Sequence, residues 1–214
     1  AFLRTLERDA MVADFSQRAN LRIATVKQGF NDALAGVETV NRLFMTVDSV
    51  SREQFSQYTQ PLLQRYPSIQ SLAFHRLVFA NDGFIDGVSM RRRSSGIAPA
   101  EGSNVKPVFI FSKKAYLSLD YVEPKRSAGS ELAPDLFLHP SLAEAVQHAV
   151  NTGDAASTQL LQLSGDAGSH DGFMVLQPVY RHGAAVSDAE ARRAAVVGDT
   201  VAIFSVTDIV RKVL

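Results

Sequence analysis

Apolar side chains return at alternating three- and four-residue steps from Ile23 through Val26, Phe30, Ala33, Val37, Val40 and Phe44 to Val47. That spacing keeps one seam on one side of a helix, and no proline or glycine cluster interrupts it. The chain is therefore expected to begin with a long helix whose seam something else must cover. Over so few turns a heptad repeat and an ordinary helical period nearly coincide. Two placements stay open: an amphipathic helix buried on the domain's own core, or a dimerising stalk paired with a second copy. Residues before Ala19 lose the seam and carry Arg4, Glu7, Arg8 and Asp9, so that end is expected to be solvated, or frayed in isolation.

Downstream the pattern alternates helices with strands. Ser51 and Gln54 form a capping box that starts a helix running to about Tyr66, and Pro67 stops it. Ser71 to Phe79 reads as a strand, followed by a turn at Asn81-Asp82-Gly83 and a return strand from Phe84 to Met90. Arg91-Arg92-Arg93 opens a polar stretch to Asn104; without interleaved aromatics it reads as a solvated surface loop. Val105 to Ser112 and Tyr116 to Val122 pair across Lys113-Lys114. Ser141 and Glu144 form a second capping box after Pro140; Gly153 ends that helix, and Leu142, Ala145, Val146 and Ala149 supply its buried face. Thr158 to Leu163 and Phe173 to Tyr180 form a hairpin around the loop 164–171. A short helix near Ser187 with Glu190, a strand from Val196 to Phe204 and a helix from Thr207 complete the chain. Antiparallel strands interrupted by helices, without strict βαβ alternation, give an α+β class.

Composition narrows the chemistry. The 214 residues, 46% hydrophobic, are enough for one good core or two small ones. Lys plus Arg and Asp plus Glu both number 22, so no net field recruits nucleic acid. The absence of cysteine removes disulfides and thiolate metal sites and suits a periplasmic setting. No apolar stretch approaches the about 20 residues of a membrane span, and the sequence opens at Ala1 without Met. We expect a soluble piece of a larger protein whose signal or membrane spans lie outside this stretch. The histidines His75, His139, His148, His170 and His182 show no HExxH or paired helical spacing, so no metal is predicted. His75 is expected as a satisfied, half-buried strand residue and His170 as exposed. No G-x-S-x-G elbow or phosphate loop is present. Carboxylates are scattered, a distant pair such as Asp120 and Asp135 being the remaining acid/base possibility. A non-catalytic binding module without cofactor is the expectation.

An ordered set of segments resembles the CHASE sensor family: Val50-Ser51-Arg52-Glu53-Gln54-Phe55, the P-x-I-Q-S-L run from Pro67 to Leu72, Lys106-Pro107-Val108-Phe109, and the G-x-x-x-L-x-P-V-Y run from Gly172 to Tyr180. The resemblance implies a long N-terminal stalk helix over 1–49, a membrane-distal PAS-like ligand-binding subdomain over 50–180, and a membrane-proximal PAS-like segment with a terminal helix over 181–214. It further implies the periplasmic part of an inner-membrane receptor, a homodimer through the N-terminal helix, and transmembrane helices flanking this chain. The output would be a histidine kinase, or alternatively a diguanylate cyclase. A ligand-free dimerisation or spacer module is the other alternative.

In the cytokinin-receptor branch of that family, an aspartate early in the mid-chain helix bonds an adenine. Here that position falls on Leu142, which accepts no proton, so Asp135, His139 and Ser141 are the neighbours able to substitute. The resemblance places Thr158 at the entry to a pocket strand, Leu163 and Ser164 where strand backbone meets the base, and Leu176 where a plant receptor carries Thr. Phe111, Leu161 and Met174 are implied as further lining. Val201 and Ala202, beyond the Ala195 to Gly198 run, are implied as a wall of small residues. An apolar Leu176 favours an isopentenyl tail over a hydroxylated one, because a buried hydroxyl needs a partner.

Overall fold

In the computed structural model, the described residues are 2–47, 49–79, 108–111, 113–124, 139–165 and 168–211. Helix α1 (Phe2–Thr46) runs as one element of 45 residues. Helix α2 (Arg52–Arg65) starts with the expected box, Ser51 accepting from the Gln54 amide while the Gln54 side chain accepts from the Ser51 amide. Strands β1 (Ile69–Phe79), β2 (Val108–Ile110) and β3 (Lys113–Glu123) follow. Then come α3 (Pro140–Thr152), β4 (Ala156–Ser157), β5 (Leu161–Gly165), β6 (Gly168–Tyr180), α4 (Ala189–Ala195), β7 (Val196–Ser205) and α5 (Val206–Arg211). The class is α+β, with a long N-terminal helix on an antiparallel sheet. The turn and return strand expected over 81–90 and the arginine-led loop lie outside the described residues.

The strands form one seven-stranded sheet in the order β2-β3-β1-β7-β6-β4, with β5 also paired to β6. Strand β7 is central, antiparallel to β1 on one side and to β6 on the other. The segments expected as subdomains 50–180 and 181–214 therefore share a sheet among the described residues. The physical reason lies in β7 itself, buried at nine of its ten positions. A strand covered on both faces belongs in the middle of a sheet.

Each face of the sheet carries a core. On one, α1 and α2 cover Leu72, Phe74, Val175, Val179, Ala202 and Phe204. The later part of the α1 seam, Ala33, Val37 and Val40, is buried there, and Phe44 stacks on Phe74 at 4.1 Å between ring centroids. Asn41 ties the helix down, its amide donating to the Gln177 and Pro178 carbonyls and the Thr200 hydroxyl at 3.1 Å each. The core-helix placement thus holds for the seam's second half. Earlier in α1, Met11, Val12, Phe15, Leu21 and Ile23 are exposed. On the other face, α3 and α4 cover Ala73, Leu77, Leu117, Met174, Leu176, Val201 and Ile203.

Local differences from the sequence reading have local causes. The cap of α3 is His139, not Ser141, because Pro140 has no N–H to satisfy and takes the first helical position. Gly153 ends this helix at φ 85°, as expected. Asp188 rather than Ser187 caps α4, its carboxylate accepting from the Ala191 amide at 2.9 Å; an anion suits a helix N-terminus better than a hydroxyl. Most of the expected loop 164–171 is ladder, with Ser164 opposite Ser169 and Gly165 opposite Gly168. The polar Ser169 and Asp171 are exposed on this ribbon and still paired. Lys113-Lys114, expected as a turn, belongs to β3.

Candidate functional site

The face under α3 gathers most of the residues expected to meet a ligand. Side chains two apart on a strand share a face, so Leu161 with Leu163, Met174 with Leu176, and Val201 with Ile203 form one apolar patch. Leu142, in the first turn of α3, closes onto it. Leu142, Met174 and Leu176 have no exposed surface at all. The patch is closed by its own side chains in this state. Thr158 lies beside it, its hydroxyl donating to the Gln159 carbonyl at 2.8 Å and accepting from the Met174 amide at 3.0 Å. Ser164 sits in β5, opposite Ser169.

Four expected residues fall elsewhere. Ala202 has the opposite parity from Val201 and points into the core under α1, so the two do not form one wall. His139 is exposed and engaged at the start of α3, with Nδ1 2.8 Å from the Ser141 hydroxyl. Phe111 stands at the margin of the patch, partly buried, with a left-handed φ of 52°. Gln147 of α3 accepts from its amide at 3.1 Å, and the Arg193 guanidinium lies over its ring at 4.9 Å. Asp135 lies outside the described residues.

Polar groups flank the patch. Tyr180 donates to the Val150 carbonyl at 3.3 Å, and burial pushes its phenol above the ordinary value. Asp120 is held by Arg76, whose Nε is 2.8 Å from the carboxylate. Asp135, the other member of the pair considered, lies outside the described residues. An open groove of about 420 Å³ runs between α3 and the edge strand β4, lined by Ser141, Glu144, His148, Ala156, Ser157 and Gln159 among others.

The sequence reading missed one pair. His75 of β1 and Asp199 of β7 oppose each other in register, with His75 Nδ1 3.0 Å from Asp199 Oδ1. Both are almost fully buried, so His75 is deeper than expected. By strand parity they share the face of Ala73, Leu77 and Val201. The signal was present: a lone aspartate in the otherwise apolar run Val196-Val197-Gly198-Asp199-Thr200-Val201-Ala202-Ile203-Phe204. His170, expected exposed, is half-buried with Nε2 2.8 Å from the Gln70 amide nitrogen. Among the described residues no group of acidic, histidine or cysteine side chains is arranged to hold a metal ion, and no helix is long and apolar enough to cross a membrane.

Comparison with known proteins adds the family. No curated protein matches the sequence. Among solved structures, the ligand-binding domain of the Pseudomonas aeruginosa PAO1 amino acid chemoreceptor PctC in complex with GABA is similar over 89% of this chain and 58% of its own, at 10% identity and a TM-score of 0.46. The periplasmic sensory domain of the Campylobacter jejuni chemoreceptor Tlp1 is similar over 89% of this chain and 59% of its own, at 9% identity and a TM-score of 0.47. This chain thus spans less than two thirds of either neighbour's length. Residues 48–214, from the end of α1 to the last residue, match the family described as CHASE domain. The chain belongs to the CHASE domain family and is an extracytoplasmic ligand-sensing domain of a receptor.

Proposed function

We propose that this CHASE domain is the periplasmic sensor of an inner-membrane receptor histidine kinase and binds an adenine-type cytokinin, isopentenyladenine in preference, on the sheet face under α3. The observation that carries the reading is the convergence of Leu142, Leu161, Leu163, Met174, Leu176 and Val201 on that face. They come from one helix and three strands, and they make an apolar bed suited to a planar base with a hydrocarbon tail. Leu176, wholly buried, offers nothing to a tail hydroxyl, so the isopentenyl form is favoured over trans-zeatin. The domain itself carries out no reaction and needs no cofactor. Its output requires the ligand to prefer one arrangement of α1 and α5 over another, since equal affinity shifts nothing. Those helices touch each other, and the Phe30 ring of α1 lies 5.1 Å from that of Phe204, near the end of β7 and just before α5.

Isothermal titration of the purified domain with isopentenyladenine, trans-zeatin and adenine tests this. Micromolar binding of the first, with Leu176→Thr narrowing its lead over trans-zeatin, is the expected result. No heat with any of the three up to high micromolar concentration sinks the cytokinin assignment.

A second reading has its own observation. A face filled by its own side chains, together with the exposed apolar residues Met11, Phe15, Leu21 and Ile23 on α1, fits a ligand-free module that dimerises through α1. Silence in the titration combined with a dimer that Phe15→Ser dissociates favours that reading.

A further inference from the structure

Asp199 is nearly wholly buried, yet only one of its carboxylate oxygens is bonded. Oδ1 meets His75 Nδ1 at 3.0 Å, while Oδ2 has no hydrogen-bond partner among the described residues. Its neighbour across the β6–β7 ladder is Pro178, which has no N–H to offer. A buried acceptor left unpaired is costly, and more so for a charged group. Neither strand pairing nor packing requires the carboxylate, because β1 and β7 are laddered on both sides of this point from Ser71 to Arg76. Such an atom calls for an explanation, and an N–H donor from a ligand is one partner that would satisfy it.

The location fits that role. Asp199 and Val201 lie two apart on β7, on the face under α3, about 7 Å from each other along the strand. Leu176 stands opposite Val201 in the ladder. The carboxylate therefore sits at one end of the apolar patch, so a polar head and an apolar body find their partners in line along β7. His75 fixes the carboxylate's orientation through Oδ1 and leaves Oδ2 as the open acceptor.

We propose that Asp199, oriented by His75, is the polar anchor of the binding face and accepts an N–H from a nitrogen-bearing ligand whose apolar body lies on Leu176 and Val201. This rests on the ligand-sensing reading above and supplies the carboxylate missing at Leu142, from a different element of the fold. The ligand class follows from the chemistry: a compound with an N–H donor, neutral or cationic, next to a hydrocarbon group. Acidic ligands are excluded from this end of the patch by the buried carboxylate.

Titration calorimetry on the wild-type domain and Asp199→Asn tests the anchor, using isopentenyladenine and its derivative methylated at N6 and N9, which offers no N–H. The wild type is expected to prefer isopentenyladenine by at least tenfold, and Asp199→Asn to lose that preference. Equal preference in both proteins overturns the anchor while leaving the cytokinin assignment standing. If the wild type binds neither compound, the cytokinin assignment fails and the anchor is judged by thermal shift with isoamylamine and benzimidazole. A rise in melting midpoint in the wild type that Asp199→Asn abolishes upholds it; no rise with either compound overturns it. Circular dichroism confirms that the variant is folded, and Asp199→Ser replaces it if it is not. His75→Gln, which retains a donor toward Oδ1, is expected to keep a preference for the N–H-bearing compound that His75→Leu loses.

Discussion

The hydrogen bonds that the Asp188 carboxylate accepts at the start of α4 are expected to give this protein part of its acid sensitivity. The Asp188 carboxyl is held below its ordinary value, first by the Ala191 amide and then by the Ser187 hydroxyl. A carboxyl depressed on folding contributes stability that is complete above its unfolded value and is lost as pH falls through its folded value. Urea midpoints of the wild type should therefore decline between about pH 5 and pH 2, and Asp188→Asn should remove part of that decline. Identical slopes for the two proteins would show that the cap contributes nothing. The same scale shows why the candidate site was only half legible. Leu176 and Leu163 follow from the family resemblance, whose short segments place them in strands of the sheet. Asp199 stands out in its apolar run, but its partner His75 is found only when β1 is laid beside β7.

At the scale of elements, α1 behaves as two helices in sequence. Its later half is core: Val37 is wholly buried against the sheet, and Val37→Asp should cost at least about 3 kcal/mol by burying an unpaired charge. Phe15, 74% exposed in the earlier half, should tolerate Phe15→Ser with an unchanged melting midpoint at low protein concentration. Melting both variants beside the wild type checks the division; a harmless Val37→Asp would mean that α1 does not pack on the sheet. The seam's period alone could not fix where coverage ends, since Ile23 keeps the seam's spacing yet is exposed while Ala33, Val37 and Val40 are buried. Strand β7 makes a second element-scale prediction. A Cβ at Gly198 would stand 2.2 Å from the His75 carbonyl oxygen, so the backbones of β1 and β7 approach where a side chain cannot fit. Gly198→Ala should destabilise by about 1–3 kcal/mol through overpacking, read from the same denaturation curves; no loss would place the strands further apart.

The whole molecule is a sheet with a different task on each face. One face is locked to α1 by aromatic packing and the Asn41 bonds; the other, under α3 and α4, holds the proposed ligand bed. Since β7 and β6 contribute side chains to both faces, a change on one side reaches α1 through shared strands rather than through a separate path. Occupation of the bed should stabilise the entire fold as one unit, by about 2.7 kcal/mol at a ligand concentration of 100 times Kd. A single melting transition that moves upward with isopentenyladenine is the expected outcome. Two transitions, of which only one moves, would show that the faces are not coupled.

Local chemistry was enough to establish the sequence of elements. The capping box at Ser51 and the left-handed stop at Gly153 are decided by neighbours within a few residues, and the α+β class follows from the order of the elements. The family was legible too, in short segments whose order the chain preserves. What required the tertiary structure was everything set by partners distant in sequence. Residues 196–205 take a central place in the described sheet, because only pairing on both sides satisfies a strand buried on both faces. The separation of Val201 from Ala202 and the meeting of His75 with Asp199 depend on the same register, which no local pattern within β7 specifies.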